Sequence, residues 1–174
     1  MTTTAALTAA RTAPLLRAAL DAIRAEVSAA PDEALRWRPG PSEWCVLEVI
    51  GHLSESEQRG FAGRIRQILD RPGLDLAGWD QEEVAAARRD HERDARALLD
   101  ELTRLRTEAI DLVNRLTPAD LAKYGEHPKV GRLHVSDLLH EWVHHDRNHM
   151  RQMLANLQAY VWPHMANAQR FSSE

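Results

Sequence analysis

Apolar residues along this chain recur at spacings of three, four and seven, and no stretch alternates as a strand would. From Thr12 to Ala30, Leu15, Leu16, Ala19, Leu20, Ile23 and Val27 predict a first amphipathic helix, closed before Pro31. Leu35 to Trp44 reads as a rigid linker, its prolines opposed to helix and its two tryptophans in need of cover. A second helix is expected over 46–70, carried by Leu47, Ile50, Leu53, Phe61, Ile65, Ile68 and Leu69, with Cys45 a weak substitute for Ser or Thr at its cap. The third, over 82–116, is the most regular. Val84, His91, Leu98, Leu105 and Leu112 are spaced by sevens, Ala95, Leu102, Ala109 and Leu116 interleave with them, and the seam spans about four heptads. The fourth, over 136–160, takes Ser136 as its N-cap and presents Leu139, Trp142, Val143, Met150, Met153 and Leu157. Residues 71–79 and 119–135 read as loops, 1–10 as a frayed, disordered start and 164–174 as a tail. The pattern predicts an all-α four-helix bundle over residues 11–163, with any site built from facing helices.

Composition narrows the class. The chain has 174 residues, 44% of them apolar and 28% charged, which suits one globular domain. A net charge of −4 without any cluster of Lys or Arg argues against a nucleic-acid partner. No apolar run approaches the ~20 residues needed to cross a bilayer, so no membrane partner is expected. The start lacks the basic and apolar segments of a signal peptide, and one cysteine, Cys45, suits a reducing compartment. The expected location is cytoplasmic.

Four of the nine histidines lie between His140 and His149. At about 100° per residue, His145 and His149 fall one turn apart on the edge of the apolar stripe, while His140 and His144 fall on the polar side. Two imidazoles at i and i+4 on one face are a usual helical contribution to a metal site, and a third ligand must then come from another helix. His52 is the candidate. On an ideal helix it points away from Leu47, Ile50, Phe61 and Ile65, so either its helix is contacted on two sides or His52 is exposed. Gly51 beside it suggests close approach of another element.

The other polar residues have plainer expectations. Asp146 falls inside the apolar stripe, where a bare carboxylate is costly, and should be hydrogen-bonded to the Trp44 linker or an arginine, or else orient a histidine. Gln152 shares the edge of His149, within reach of a bound water. Glu48, Glu55 and Glu57 read as solvated helix charges. His91 reads as a core histidine rather than a fourth ligand, and Cys45 as a buried or capping residue rather than a nucleophile. His127, His134 and His164 read as loop or tail residues, and Trp37, Trp44 and Trp142 as core and pocket wall.

Trp44-x-x-x-Glu48-x-x-x-His52-Leu53, followed by Glu57 and later by Leu138-Leu139 and His145-Asp146-x-x-His149-x-x-Gln152, resembles the DinB/YfiT superfamily of bacterial metal-binding four-helix bundles. The resemblance implies a divalent metal ion, nickel or zinc, on His52, His145 and His149, with water in the open positions. Asp146, Gln152, Glu48, Trp44 and Trp142 would then surround it. It implies second and third helices that run parallel through a crossover, although the 71–79 loop alone is short for that, and frequent dimerisation. Characterised relatives use small thiols. Those using mycothiol are expected to carry Glu where His145 stands, so three histidines point to the bacillithiol-type S-transferases, which act on small electrophiles. Two classes therefore stand: a metal-dependent thiol transferase or hydrolase, or a non-catalytic, stress-related metal-binding protein. An open place beside a cleft would favour the first, and a closed, saturated site the second.

Overall fold

A computed structural model describes residues 6–172. The frayed start expected over residues 1–10 lies half outside that range, and Ala9 and Ala10 are already helical. Helix α1 (Ala9–Ala29) buries Leu16, Ala19, Leu20, Ile23 and Val27, as its spacing requires. A single helical turn, α2 (Asp32–Arg36), extends into the start of the linker. The second long element has three parts: α3 (Val46–Glu55), a π-helical turn (Ser56–Gly60) and α4 (Ala62–Asp70). Glu48 completes the weak cysteine cap of α3 by accepting the Cys45 N–H at 2.9 Å.

The predicted third helix is in fact two. Helix α5 (Gln81–Arg88) stops at Arg89, which has a left-handed φ of 50°. A 3-10 turn (Asp90–Glu92) follows, and Asp94 then caps α6 (Ala95–Asn114). The physical reason is a partly buried ionic cluster centred on Asp90. In one continuous helix Arg88 and Glu101 would stand about 20 Å apart along the axis. Here Arg88 reaches Glu101 at 3.1 Å, Glu55 at 2.8 Å and Asp90 at 2.6 Å, and Arg93 reaches Asp90 at 2.8 Å. Asp90 is 2% exposed and occupies the space above Gly51, where a Cβ would stand 1.7 Å from its Oδ2. The close approach expected at Gly51 is this segment. The heptad seam consequently begins at Leu98, and Leu98, Leu102 and Ala109 are fully covered within the bundle.

Helix α7 (Pro118–Leu121) leads to a hairpin that the all-helical expectation missed: β1 (Tyr124–His127) pairs antiparallel with β2 (Gly131–His134). Four-residue strands are too short to show alternation. The 71–79 loop lies along β1, with Leu76 N–H donating to Glu126 O at 2.7 Å and Glu126 N–H to Leu74 O at 2.8 Å. The hairpin sets the start of α8 (Val135–Val161). His134 rather than Ser136 is its cap residue, and Asp137 accepts the His134 N–H at 2.9 Å. Short 3-10 turns continue over Trp162–Ser172.

Two core clusters give the helix directions. In one, Leu20, Ile23 and Val27 from the end of α1 meet α3, the start of α6 (Leu98, Leu102) and Met153, late in α8. In the other, Ala13 and Leu16 meet α4, the end of α6 (Ala109, Val113) and the start of α8 (Leu138, Trp142). The second and third bundle helices, α3–α4 and α6, therefore run parallel, with α1 and α8 antiparallel to them. Because α6 starts only at Ala95, the crossover runs over residues 71–94 and contains α5. That is why it can span a helix that the 71–79 loop alone could not. The molecule is a four-helix bundle with one small hairpin.

A buried knot joins the four helices. Arg106 of α6, 1% exposed, donates to both oxygens of Asp146 on α8 at 2.6 and 2.9 Å. It also donates to Glu57 of the π turn at 2.7 Å and to Leu16 O of α1 at 3.1 Å. Trp142 Nε1 donates to the same Glu57 oxygen at 3.0 Å, and its ring stacks on Phe61 at 5.1 Å. Glu57, Glu48 and Glu55 were expected in solvent. Instead all three are buried, and each bonds an arginine: Arg106, Arg38 and Arg88 respectively. Asp146 has the arginine that its place in the stripe called for.

Two predictions follow from this packing. The π turn closes through Phe61 N–H to Ser56 O at 2.8 Å, and a Cβ on Gly63 would lie 1.7 Å from Gln58 O. Gly63→Ala should therefore cost about 1–3 kcal/mol in denaturant unfolding, because a backbone carbonyl rather than a flexible side chain must give way. The second concerns Glu57, whose pKa is pushed up to about 7 by burial, with Arg106 opposing and Asp146 adding to the rise. An acid whose folded pKa lies above its unfolded value of 4.5 holds its proton more tightly in the native state. Its contribution is full below 4.5 and is lost as pH rises through about 7. Glu57→Gln keeps the acceptor for Arg106 and Trp142. It should gain stability relative to wild type between about pH 5 and pH 8, read by urea unfolding at each pH. A constant difference would place that proton elsewhere.

Candidate metal centre

The π turn determines which residues of the second bundle helix face the same way. On a straight helix residues 52 and 64 would be about 120° apart, and one extra residue reduces that to about 20°. His52, Ser56, Gly60 and Arg64 all line one cleft. Helix α3 is covered all round, so His52 is 6% exposed although it points away from Leu47 and Ile50. Of the two alternatives for His52, contact on both sides is the one realised.

His52, His145 and His149 come together, with one imidazole nitrogen from each within 4.8 Å of the others. His52 Nε2 faces His145 Nε2 at 3.0 Å, and the His149 ring lies 4.6 Å from that of His52 and 4.4 Å from that of His145. Two imidazole nitrogens so placed either share one proton or give both lone pairs to one cation. With metal–nitrogen bonds of about 2.0–2.1 Å, neighbouring ligand atoms sit about 2.9–3.4 Å apart, so this pair fits a metal. Burial lowers the His52 pKa to about 4, with His149 adding to the effect. It drives His145 further down, helped by charge on His149, His52 and Arg106, and it also lowers His149. Burial thus favours the neutral form of all three rings, the form in which histidine binds metal.

Neighbours hold each ring. His149 Nδ1 donates to Gln152 Oε1 at 2.9 Å, which leaves Nε2 as its free lone pair. His145 Nδ1 is buried without a partner among the described residues, and the ring is wedged by Phe61 at 5.1 Å. His52 lies between Trp44 at 5.0 Å and Trp79 at 5.9 Å. Asp146 acts on the site through α8, since its bond to Arg106 fixes the rotation of the helix that carries both histidines. Trp142 is core rather than pocket wall, and Glu48 is spent on Cys45 and Arg38 one turn before His52. His91 lies in the 3-10 turn, with Nδ1 3.4 Å from Glu48, outside the cluster and off the seam. His140 is occupied by Ser136 O at 2.7 Å and the Leu7 N–H at 2.9 Å, and His144 is exposed.

His52 and His145 open onto a cleft of ≈ 1390 Å³ walled by Phe61, Trp79 and Leu138. A smaller pocket of ≈ 280 Å³ reaches His149 and Gln152 past Trp44. As residues of the site, Trp79, Arg64 and Arg106 escaped the sequence reading, and Phe61 was read only as an apolar helix position. Trp79 sits in a loop with no periodicity to place it, and Arg106 is one of many arginines on charged helices.

Gln152 gives the test of this arrangement. Gln152→Ala leaves the three imidazoles in place but frees His149 to rotate and change tautomer. Metal affinity should fall about 10–100-fold by competition with a chromophoric chelator, without loss of stoichiometry at saturating metal. An unchanged affinity would show that Gln152 does not orient the ring.

Three comparisons with known proteins bear on the family. No curated protein matches the sequence. Among solved structures the chain is similar to YfiT from Bacillus subtilis, described as a probable metal-dependent hydrolase with an unusual four-helix bundle topology. The TM-score is 0.80 at 16% identity, over 93% of this chain and 94% of that one, which is a likeness of fold. The model of the DinB superfamily matches residues 15–153, a span that includes all three histidines. With most of its length so matched, the chain belongs to the DinB superfamily.

Proposed function

We propose that this protein is a metal-dependent enzyme that transfers a small thiol, of the bacillithiol type, to small electrophiles. His52, His145 and His149 would hold the divalent ion, nickel or zinc. The observation that carries this reading is the opening of a cluster of neutral imidazoles onto a wide cleft. A site for storage or structure would be closed and saturated with ligands, whereas three neutral ligands beside open space suit catalysis. A divalent ion held there would supply Lewis acidity and would lower the pKa of a thiol or a water molecule towards neutral pH. The chain supplies the rest. Gln152 fixes the His149 tautomer, the Arg106–Asp146 bond holds α8 in rotation, and Trp79 and Phe61 give the electrophile an apolar wall.

A second reading, hydrolysis, shares the same site, with water in place of the thiol. It is favoured by the fold-level likeness to a protein described as a probable metal-dependent hydrolase.

Protein purified without an affinity tag should carry about one metal ion per chain by elemental analysis. His145→Ala and His149→Ala should abolish that stoichiometry, and His144→Ala should preserve it, because His144 is exposed on the neighbouring face. The metal-loaded protein should consume a model electrophile such as monochlorobimane only in the presence of a small thiol. Ester or amide cleavage without thiol would select hydrolysis. Metal binding without either activity would leave the non-catalytic class.

A further inference from the structure

The cleft that reaches the histidines carries a second cluster of side chains, which the metal site leaves unused. Arg64, at the start of α4, has no carboxylate partner among the described residues, and burial alone draws its pKa down. Its Nε is buried and has no hydrogen-bond partner among the described residues. Its Nη2 has the Ala77 carbonyl at 3.4 Å and His127 Nε2 at 3.1 Å. His127 Nδ1, in turn, is approached by the Lys129 N–H at 3.2 Å. A neutral imidazole has one lone pair for two such donors, so whichever tautomer His127 adopts, one N–H turns to solvent or to a ligand in the cleft. The Lys129 side chain lines the same cleft and enters no ion pair among the described residues.

Arg64 thus keeps a buried N–H without an acceptor, beside a lysine without a carboxylate partner, among the described residues. Leaving a buried donor such as Arg64 Nε unpaired costs about 1–3 kcal/mol, which an acceptor entering the cleft would offset. The carboxylates that line the cleft do not supply it. Asp80 caps α5 through Glu82 and Glu83, Asp137 is held by His134, and neither Glu82 nor Glu141 pairs with Arg64.

We propose that Arg64, His127 and Lys129 form a subsite for an anionic group, a carboxylate or a phosphate, at one end of the molecule whose other end meets the histidines. A guanidinium is suited to either, because its fork of N–H groups matches two oxygens of one anion. The π turn makes the pairing of the two sites possible, by bringing residue 64 onto the same side as His52. The proposal rests on the reading of the cleft as a substrate site, and it narrows the substrate to one with a negatively charged end.

The test is a titration of full-length protein with succinate and with inorganic phosphate at low ionic strength, following the side-chain Nε–H resonance of Arg64. It is run on wild type and on His145→Ala, which separates anion binding from metal binding. The Arg64 signal should move saturably in both proteins. Affinity should fall at least about tenfold in Arg64→Gln and recover in part in Arg64→Lys, which restores charge without the fork. The tighter anion identifies the group recognised. An immobile Arg64 signal, or equal binding by Arg64→Gln with its thermal stability intact, overturns the subsite. Shifts that occur in wild type but vanish in His145→Ala place the anion on the metal and overturn it as well. Anion binding to Arg64 in a protein that never binds metal would instead leave the subsite standing and remove the metal reading.

Discussion

The bundle is organised around one guanidinium. Arg106 is the side chain through which α1, the π turn, α6 and α8 meet, and all three of its hydrogen-bonding partners lie on other helices. Its burial is tolerable only because two carboxylates and a carbonyl surround it. Removing Asp146, its two-pronged partner, leaves charge stranded in a dry interior, which typically costs about 3–5 kcal/mol. Apolar packing can accept small rotations of a helix, but a two-pronged contact between Arg106 and Asp146 cannot. Asp146 follows His145 directly, so the contact that locks α8 also directs its histidines at His52.

That dependence explains which features were legible in the sequence. The four bundle helices could be read because each buries a stripe whose spacing survives in the composition of its positions. The pair His145 and His149 could be read for the same reason, since i and i+4 share a face wherever a helix is regular. Legibility ended where regular geometry did. His52 looked misplaced because the wheel assumed a helix with one buried face. In the structure α3 is enclosed on every side, and one turn later the helix gains a residue. The break between α5 and α6 was hidden because the apolar spacing runs through it unbroken, while Arg88, Asp90 and Glu101 impose the bend.

Charge misled more than hydrophobicity did. Glu48, Glu55 and Glu57 look alike in sequence, three carboxylates on an amphipathic helix, and solvent is the ordinary place for such residues. Their partners lie in the linker, in the crossover and on α6, none of which a single-helix projection contains. Arg64 is the converse case, a half-buried cation that has no carboxylate partner among the described residues. Both kinds of residue acquire meaning only from the tertiary arrangement.

The π turn also bears on how this chain compares with its relatives. A π turn is the trace left by one residue more than an α-helix needs. If a related chain lacked that residue, its straight helix would present to the cleft the position eleven after the histidine, rather than the twelfth. Counting along the sequence would then pair Arg64 with a residue on another face. An insertion or deletion inside a helix usually turns everything beyond it by about 100°. Here the gain or loss of a single residue between His52 and Arg64 is the change that keeps the two facing the same space, so correspondence across the superfamily has to be traced through the cleft and not through the count.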